Sequence, residues 1–333
     1  MNYENVLVTG GLGFIGSTVS EALLERGSRV TIVDSKVSNV VEEDDFLSKY
    51  ESVEILRKAI SRFFTNGLDI SDHALVIHAA SFVGPASVIR YQGKMAHEIV
   101  SSTSKIIDAC LKSDVPLVYF SSAEVYGKSG ILREDSEVRI PPYYNARIEY
   151  ALAKLTCEAM VINSQVQGLR SVVVRPFNVA GPRQSREGGF LMPTFVQQAL
   201  GNKPITVFGS GKQKRAFLAA SDLAEFLIDY FDDKVLSDQK IYNVGNPNNA
   251  TTVNDLAHRV KELLGSRSQI VHIDPQTIYG PLYFEAESFE KLPDISNATA
   301  LGWSPKVSLD EIILQTADFY RSRRDTRGAD ARL

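Results

Sequence analysis

Cysteine is scarce in this sequence, since its 333 residues include only Cys110 and Cys157. The two lie far apart, in segments whose apolar spacing indicates amphipathic helices. We therefore expect two buried thiols in a reducing compartment and no disulfide. The five histidines are scattered along the chain without the spacing of metal ligands, so no metal site is predicted.

Long apolar runs and an excess of positive charge are also missing. No stretch approaches the ~20 apolar residues of a membrane-spanning helix. The first residues, MNYENVLVTG, lead directly into a strand and lack the pattern of a signal peptide. The formal net charge of −4 gives no reason to expect a nucleic-acid partner. These absences predict a cytoplasmic protein that binds neither membrane nor nucleic acid.

Apolar strand runs alternate with helical patterns in the first half of the chain. Short, fully apolar runs occupy residues 6–9, 30–33, 75–78, 117–120 and 172–174. Because both faces of such strands must be covered, the pattern predicts a parallel sheet between two layers of helices. This is an α/β fold of the Rossmann type, with a doubly wound parallel sheet.

The sequence changes in character after about residue 175. Glycine and proline become frequent and shorter helix and strand signals follow, which predicts a smaller C-terminal α/β domain that binds the substrate. We divide the chain into a dinucleotide-binding domain at 1–175, to which a segment near 213–245 returns, and a substrate-binding domain at 176–320. Residues 321–333 are expected to form a flexible tail.

A glycine-rich turn follows the first strand. In VLVTGGLGFIGSTVSEALL the turn stands between a strand and an amphipathic helix. Glycines at these places permit a tight turn, a close approach of the backbone to a diphosphate, and close packing of helix on strand. Free N–H groups at the helix start attract the phosphates. The predicted dinucleotide contacts are Gly10, Gly13, Phe14, Ile15 and Gly16.

The acidic residue at the end of the second strand indicates which dinucleotide is bound. Asp34 lies 24 residues after Gly10, close to the spacing of a carboxylate that binds the hydroxyls of the adenosine ribose. A carboxylate there repels the additional phosphate of NADP. The sequence therefore predicts NAD as the cofactor; the alternative explanation is that Asp34 only begins a turn.

Tyr150 and Lys154 form a YxxxK pair in the segment YALAKLTCE. Their i, i+4 spacing places both side chains on one face of a helix. A neighbouring ammonium and the positive nicotinamide ring both favour the phenolate, so we expect the pKa of Tyr150 to fall below its ordinary value of ~10 and the side chain to act as a base. The pair is common by chance, and its weight comes from its position after the glycine turn and several parallel strands.

A turn rich in hydroxyl groups follows the apolar run 117–120. The segment FSSAEVYG places Ser122 and Glu124 at the carboxyl end of the predicted sheet, where open α/β folds bind their ligands. A serine there can hydrogen-bond a reacting hydroxyl oxygen and pass its proton to a tyrosine. A serine-rich turn without a catalytic role is equally consistent with this segment alone.

Five motifs in one order resemble a known family. TGGLGFIG, HAAS at 78–81, SSAEVYG, YALAK and RPFNVAGPRQ together look like an extended short-chain dehydrogenase/reductase, and more specifically the NAD-dependent nucleotide-sugar epimerase/dehydratase family. The resemblance covers residues 6 to about 305. It implies a catalytic set of Ser122, Tyr150 as the base, and Lys154, which would also hold the nicotinamide ribose.

The resemblance also implies cofactor and substrate contacts elsewhere in the chain. Asp69 and Ile70 would line the adenine pocket, and Ala79 and Ala80 would cross the cofactor diphosphate. The residues that would bind the substrate, for which a UDP-sugar is the expected compound, are Asn178, Arg215 and Lys291.

The family's reactions share a first step and differ afterwards. The resemblance implies that Tyr150 removes the proton of the hydroxyl at sugar carbon 4 while hydride moves to NAD, which gives a 4-keto sugar. An epimerase then returns the hydride to the other face, whereas a dehydratase or a uronate decarboxylase uses Glu124. Ala123 stands where some dehydratases carry an aspartic acid, and alanine cannot donate a proton. The sequence therefore favours epimerisation, with a Glu124-assisted decarboxylation or dehydration as the alternative.

Two positions depart from the family pattern. The segment FEKLPDIS carries Lys291 where many relatives have a nearby arginine that binds the diphosphate, and lysine offers a point charge without a bidentate fork. The central-helix asparagine is also missing, since the chain reads HEIVSSTSK near Ile99. A non-catalytic dinucleotide sensor is the remote alternative. It is disfavoured because Ser122, Tyr150 and Lys154 are all retained.

Relatives of this kind often pair through two helices, which implies a homodimer. The candidate interface helices lie near 103–111 and 150–161. The same apolar stripes would serve equally well to bury these helices within one chain.

Overall fold

The computed structural model describes residues 3–35, 41, 43–64, 68–127, 129–140, 145–238, 241–279 and 290–330. Its strands are β1 (Asn5–Thr9), β2 (Arg29–Asp34), β3 (Val53–Arg57), β4 (Leu75–His78), β5 (Leu117–Phe120), β6 (Gly130–Leu132), β7 (Ser171–Pro176), β8 (Val179–Ala180), β9 (Ile205–Phe208), β10 (Lys214–Ala216), β11 (Leu218–Ala219), β12 (Ile241–Val244), β13 (Ala250–Thr252), β14 (Ile270–Ile273) and β15 (Glu290–Pro293).

The α-helices of the described residues are α1 (Phe14–Glu25), α2 (Glu43–Leu47), α3 (Ile60–Phe63), α4 (Pro85–Arg90), α5 (Met95–Ser113), α6 (Ala146–Ser164), α7 (Leu191–Leu200), α8 (Ala220–Asp229), α9 (Asp233–Ser237), α10 (Val253–Leu263), α11 (Gln276–Tyr279), α12 (Ser296–Ala300) and α13 (Leu309–Asp330). Short 3₁₀ helices lie at Ala123–Tyr126, Gln165–Gln167, Arg186–Gly188 and Pro247–Asn249.

Seven parallel strands form the main sheet, in the spatial order β12-β7-β5-β4-β1-β2-β3. The chain builds outward from β1 through β2 to β3, then crosses to β4 on the other side of β1 and continues to β12. Parallel neighbours need long crossovers, and here each crossover contains helix. The predicted Rossmann-type, doubly wound fold is confirmed.

The two faces of the main sheet pack against separate apolar cores. Along β1, Val6 and Val8 lie in one core together with Leu23 of α1, whereas Leu7 lies in the other core with Ile106 of α5. Successive side chains of a strand point to opposite faces. Both faces are covered, which explains why the central strands of this sheet are mostly apolar.

A smaller sheet has the order β13-β10-β15-β6. Strand β10 pairs antiparallel with β13, and β15 lies parallel between β10 and β6. The register sets Arg215 of β10 beside Lys291 of β15. Because β6 follows the 3₁₀ helix Ala123–Tyr126 in the chain, this sheet brings two distant cations to the turn after β5.

The later part of the chain contributes a third apolar core. Phe195 of α7, Ile205 of β9, Val260 of α10 and Ile312 of α13 pack together there. These elements fall within the range predicted as the substrate-binding domain, and the division of the chain into two domains stays a prediction.

The last described helix, α13, extends into the segment predicted as a tail. It spans Leu309–Asp330, so residues 321–330 are helical, and the flexibility of residues 321–333 stays a prediction. No proline occurs after Leu309 to end the helix, and residues 331–333 lie outside the described ranges. In the described part of the chain, no helix is both long and apolar enough to cross a membrane.

Candidate active site

The glycine turn between β1 and α1 has no space for side chains. A Cβ atom built on Gly16 would lie 2.1 Å from the carbonyl oxygen of Gly10, and one built on Gly10 would lie 2.7 Å from the Cα of Ala80. Gly10 also has a φ of 71°, a conformation that L side chains rarely adopt. The turn therefore presents bare backbone at the start of α1, as a diphosphate-binding turn requires.

Asp34 lies at the mouth of this turn, at the end of β2. Its Oδ2 accepts a hydrogen bond from the backbone N–H of Leu12 at 3.0 Å. The contact holds the carboxylate against the loop that would carry the cofactor, in the place expected for a group that binds ribose hydroxyls.

Two buried hydroxyl groups stand near the ends of β4 and β5 without hydrogen-bond partners among the described residues. They are the Oγ atoms of Ser81 and Ser121. Buried polar atoms are normally hydrogen-bonded, so such atoms at the ligand-binding edge of the sheet fit a polar ligand. Together with the glycine turn and Asp34, they fit a bound NAD.

The predicted adenine-side residues divide into a buried and an exposed one. Ile70 is buried in the core under α5, and its N–H donates to Ser113 Oγ at 3.1 Å. Asp69 is exposed and accepts hydrogen bonds from Ser71 N at 2.9 Å and Ser113 Oγ at 3.3 Å. Ile70 can therefore line an apolar pocket, whereas Asp69 mainly holds its own loop.

Three more predicted cofactor contacts lie around the turn. Phe14 and Ile15 begin α1 and are partly exposed beside the glycines. The N–H of Ala79 donates to the carbonyl oxygen of Thr9 at 3.2 Å. This bond fixes the segment 79–81 next to Gly10, so the predicted contacts are brought to one edge.

His78 belongs to a buried network that the sequence analysis missed. The Thr103 hydroxyl donates to Ile99 O, so it must accept from Nε2–H of His78 at 3.2 Å. Nδ1 then accepts from the Thr9 hydroxyl at 2.8 Å, and Thr9 Oγ1 in turn accepts the N–H of Ala80 at 3.4 Å. The chain of bonds ties the cofactor edge to α5.

Burial and the nearby Lys154 charge lower the pKa of His78 to about 3. The imidazole is therefore neutral, in agreement with one donating and one accepting ring nitrogen. The sequence signal was the histidine that opens HAAS, at the carboxyl end of an apolar strand.

The structure brings Ser122, Tyr150 and Lys154 together. Tyr150 and Lys154 project from α6 and are 7% and 2% exposed. The Ser122 side chain lies close enough to Tyr150 to favour its phenolate, and Ser122 Oγ accepts the N–H of Glu124 at 3.2 Å. Lys154 Nζ donates to the carbonyl oxygen of Phe120 at 2.7 Å, which fixes the lysine although the family's central-helix asparagine is missing.

The pKa of Tyr150 differs from the sequence-based expectation. Burial raises it well above the ordinary value, and the Ser122 hydroxyl only partly opposes that effect. Lys154 Nζ lies 6.0 Å from the centre of the tyrosine ring, and burial lowers the pKa of Lys154 itself to about 8. In the protein alone, the cost of burying a phenolate outweighs the expected lowering by lysine, and the lowering by the nicotinamide ring stays a prediction.

Glu124 and Lys291 form an ion pair in the same site. Lys291 Nζ donates to Glu124 Oε1 at 2.5 Å, and the lysine side chain is 5% exposed while that of Glu124 is 32% exposed. Arg147 Nη1 lies 4.0 Å from Glu124 Oε2. Arg215, 5% exposed, lies beside Lys291 in the sheet. One carboxylate is thus surrounded by three cations.

The charges in this cluster determine the ionisation of both partners. Burial alone would raise the pKa of Glu124, but Lys291, Arg147 and Arg215 outweigh it and lower that pKa to about 2. Burial lowers the pKa of Lys291, and the two arginines lower it further against the opposing effect of Glu124. Glu124 is therefore a carboxylate at neutral pH, and Lys291 is an ammonium whose proton is held less tightly than usual.

Arg147 was missed by the sequence analysis. It lies three residues before Tyr150 on α6, so the i, i+3 spacing that places side chains on one helical face could have indicated it. Asn178, by contrast, is engaged locally: its Nδ2 donates to the carbonyl oxygen of Ala216 at 3.1 Å, and its φ is 37°. Its predicted role toward the substrate stays a prediction.

A second buried ion pair secures the helix that carries the catalytic residues. Arg175 of β7 contacts Glu158 of α6 through two hydrogen bonds of 2.8 Å and 2.6 Å, and their side chains are 4% and 3% exposed. Glu158 lies one helical turn after Lys154, so this pair fixes α6 against the main sheet.

The chain matches the NAD dependent epimerase/dehydratase family over residues 6–245. It is 30% identical over 324 residues to the UDP-N-acetyl-alpha-D-glucosaminuronate decarboxylase of Bacillus cytotoxicus, covering 96% of this chain and 98% of that relative. It is 28% identical to UDP-glucuronic acid decarboxylase 1 of Xenopus tropicalis, covering 96% of this chain and 72% of that relative.

A solved structure extends the comparison. The UDP-glucose 4-epimerase of Thermotoga maritima with UDP-glucose superposes with a TM-score of 0.78 at 26% identity, covering 96% of this chain and 99% of that one. The chain therefore belongs to the NAD dependent epimerase/dehydratase family, and it is an NAD-dependent enzyme of nucleotide-sugar chemistry.

Proposed function

We propose that this enzyme decarboxylates a UDP-hexuronate through a 4-keto intermediate. The observation that carries the proposal is the Glu124–Lys291 ion pair in the same site as Ser122 and Tyr150. Inversion at carbon 4 requires neither member of that pair. Loss of a carboxylate from carbon 5, in contrast, requires an acid that delivers a proton to that carbon.

The charge of the cluster favours an anionic sugar. Lys291, Arg147 and Arg215 surround the single carboxylate of Glu124. The excess of positive charge in a partly desolvated site attracts both a uronate carboxylate and a diphosphate. The names of the two curated relatives, both decarboxylases of UDP-linked uronic acids, support the same substrate class.

The oxidation at carbon 4 depends on Ser122, Tyr150 and Lys154. Bound NAD supplies the acceptor and later the donor of a hydride at carbon 4, and a positive charge that favours the phenolate. Tyr150 Oη then takes the proton of the hydroxyl on carbon 4, and the nearby Ser122 hydroxyl favours the phenolate form that accepts it. Lys154, held by Phe120 O, keeps a positive charge near the tyrosine.

The 4-keto group makes the carboxylate on carbon 5 a leaving group. The bond between carbon 5 and the carboxyl carbon breaks, carbon dioxide departs, and its bonding electrons form an enolate with the oxygen on carbon 4. Lys291 delivers one ammonium proton to carbon 5 and regains it from solvent, while Glu124 remains a carboxylate that orients the lysine. Tyr150 finally returns its proton to the oxygen on carbon 4, and the product is a UDP-pentose.

The second candidate is epimerisation at carbon 4, which the sequence favours. The observation that supports epimerisation is that Ser122, Tyr150 and Lys154 lie together. These three residues suffice to oxidise carbon 4 with bound NAD and to reduce it again. In this case Glu124 and Lys291 neutralise each other and only shape the site. The two candidates differ in whether carbon dioxide is released.

The test is a comparison of paired nucleotide sugars. UDP-glucuronate and UDP-N-acetylglucosaminuronate should be consumed with release of carbon dioxide, whereas UDP-glucose and UDP-N-acetylglucosamine should be converted far more slowly. Product identification by NMR measures both reactions. Rapid formation of UDP-galactose from UDP-glucose, with no decarboxylation of either uronate, would establish epimerisation instead.

A further inference from the structure

Asn243 of β12 is a fully buried amide whose side chain makes three hydrogen bonds. Its Oδ1 accepts the hydroxyl of Tyr126 at 2.6 Å. Its Nδ2 donates to Leu132 O at 2.9 Å and to Asp294 O at 3.1 Å. Its backbone N–H donates to Glu134 Oε1 at 2.9 Å. Such a hub joins segments that are distant in the sequence.

The segments that Asn243 joins are those that carry the ion pair. Tyr126 ends the 3₁₀ helix that contains Glu124. Leu132 ends β6, and Asp294 directly follows β15, whose Lys291 pairs in register with Gly130 of β6.

The backbone N–H of Asp294 also donates to Leu132 O, at 2.9 Å. Asn243 therefore closes the end of the β6–β15 pair and attaches it to the turn after β5.

We propose that Asn243 is a positioning residue that holds Lys291 against Glu124. Its side chain hydrogen-bonds Tyr126, Leu132 and Asp294, and it acts by fixing the strand of one partner relative to the turn of the other. Only an amide side chain combines one acceptor with two donors in this geometry; aspartate lacks the donors and leucine lacks both. The inference rests on the proposed function only where turnover is measured.

Tyr126→Phe is the variant that loosens the hub with the smallest change. It removes the hydroxyl that donates to Asn243 Oδ1 and keeps the buried ring. Tyr242→Phe is the matched control, because Tyr242 precedes Asn243 on β12, is equally buried, and its hydroxyl has no hydrogen-bond partner among the described residues. Asn243→Ala tests the full hub if it folds, and Tyr126→Phe decides the question if it does not.

The first readout needs no substrate. The protein is prepared with glutamate labelled at the side-chain carboxyl carbon. The NMR signal of Glu124 is assigned by its loss in Glu124→Gln. Titration of that signal with pH then gives the pKa of Glu124. Lys291, Arg147, Arg215 and Tyr150 face this carboxylate. We expect the pKa, about 2 in the unchanged protein, to rise by about one unit in Tyr126→Phe. It should stay unchanged in Tyr242→Phe.

The second readout is a double-mutant cycle on the turnover of UDP-glucuronate. Tyr126→Phe should lower kcat by about tenfold, since small displacements of catalytic groups are costly. In the Lys291→Met background the same change should have almost no further effect, because the residue acts through Lys291.

Equal titrations in Tyr126→Phe and Tyr242→Phe, or a tenfold loss that persists in the Lys291→Met background, would overturn the inference. If UDP-glucuronate is not decarboxylated at all, the proposed function fails, and the titration alone still decides the role of Asn243.

Discussion

Lys291 Nζ lies 2.5 Å from Glu124 Oε1, although 167 residues separate the two in the sequence. The contact forms because β15 pairs with β6, and β6 follows the turn that contains Glu124. The fold thus brings Lys291 and its strand neighbour Arg215 into a site whose catalytic serine, tyrosine and glutamate come from the first half of the chain.

The glycine turn should not tolerate a side chain at Gly16. A Cβ atom there would meet Gly10 O at 2.1 Å, so Gly16→Ala should displace α1 and weaken NAD binding by at least about tenfold. Gly201→Ala is the control, because its Cβ atom would meet nothing closer than 3.4 Å. Calorimetric titration with NAD measures both variants, and equal affinities would contradict the assignment of the turn.

Asp34 should set the preference for NAD over NADP. Asp34→Asn keeps the size of the side chain and removes the charge that repels the additional phosphate, so the preference for NAD should fall by about tenfold. Asp229→Asn provides a control carboxylate, since its ion pair with Arg26 lies on the surface. The ratio of the two cofactor affinities is the measurement, and an unchanged ratio in Asp34→Asn would show that the carboxylate does not face the ribose.

Lys154 should make the stability of the cofactor-free protein depend on alkaline pH. Burial lowers its pKa from 10.5 to about 8, so between these values the unfolded chain binds more protons than the folded one. The contribution of Lys154 to the free energy of unfolding then rises with pH across that window, by about 3 kcal/mol in total. Denaturant unfolding of the unchanged protein and of Lys154→Met at several pH values should show this rise as a growing difference between the two.

The rise should disappear in Lys154→Met and persist in Lys203→Met, which alters an exposed lysine. A similar slope in the unchanged protein and in Lys154→Met would mean that the ammonium is not desolvated as the structure indicates.

Lys291 should be required for the step after oxidation at carbon 4, in which carbon 5 receives a proton. Lys291→Met removes the proton donor to carbon 5, and loss of a general acid typically lowers the rate by about 10²–10⁴-fold. Oxidation of the sugar, followed by the absorbance of reduced nicotinamide on mixing, should persist. A matched control is Lys214→Met, which breaks the Lys214–Glu290 pair on the same two strands, directly before Arg215 and Lys291.

Successive strand residues point to opposite faces of a sheet, so the side chain of Lys214 points away from that of Arg215. Exposed ion pairs such as Lys214–Glu290 contribute little to the free energy of unfolding. Lys214→Met should therefore leave decarboxylation nearly unchanged. Equal losses in both variants would assign Lys291 a structural role.

The fold was predictable because its signals are local. Fully apolar runs at β1, β2, β4, β5 and β7, separated by helical segments, predict a parallel sheet with both faces covered, and that sheet is observed. The glycine turn and Asp34 were found in the same way, since their spacing is short and fixed by the strand–turn–helix unit.

The interactions within the site could be predicted only in part. Tyr150 and Lys154 are neighbours on one helix, so their proximity follows from spacing, but the direction of the Tyr150 pKa depends on burial, which spacing does not reveal. The sequence suggested a diphosphate contact for Lys291, whereas the structure pairs it with Glu124. That contact depends on a strand pairing with no local signal, and so does the Asn243 hub.

The most direct test of the proposed reaction is solvent-deuterium incorporation during turnover of UDP-glucuronate. With the carboxylate radiolabelled and the reaction run in heavy water, we expect one labelled carbon dioxide for each product molecule and one deuterium at carbon 5 of a UDP-pentose. The proton reaches carbon 5 from Lys291, which exchanges with solvent. A six-carbon product that retains the label and carries no deuterium would contradict decarboxylation.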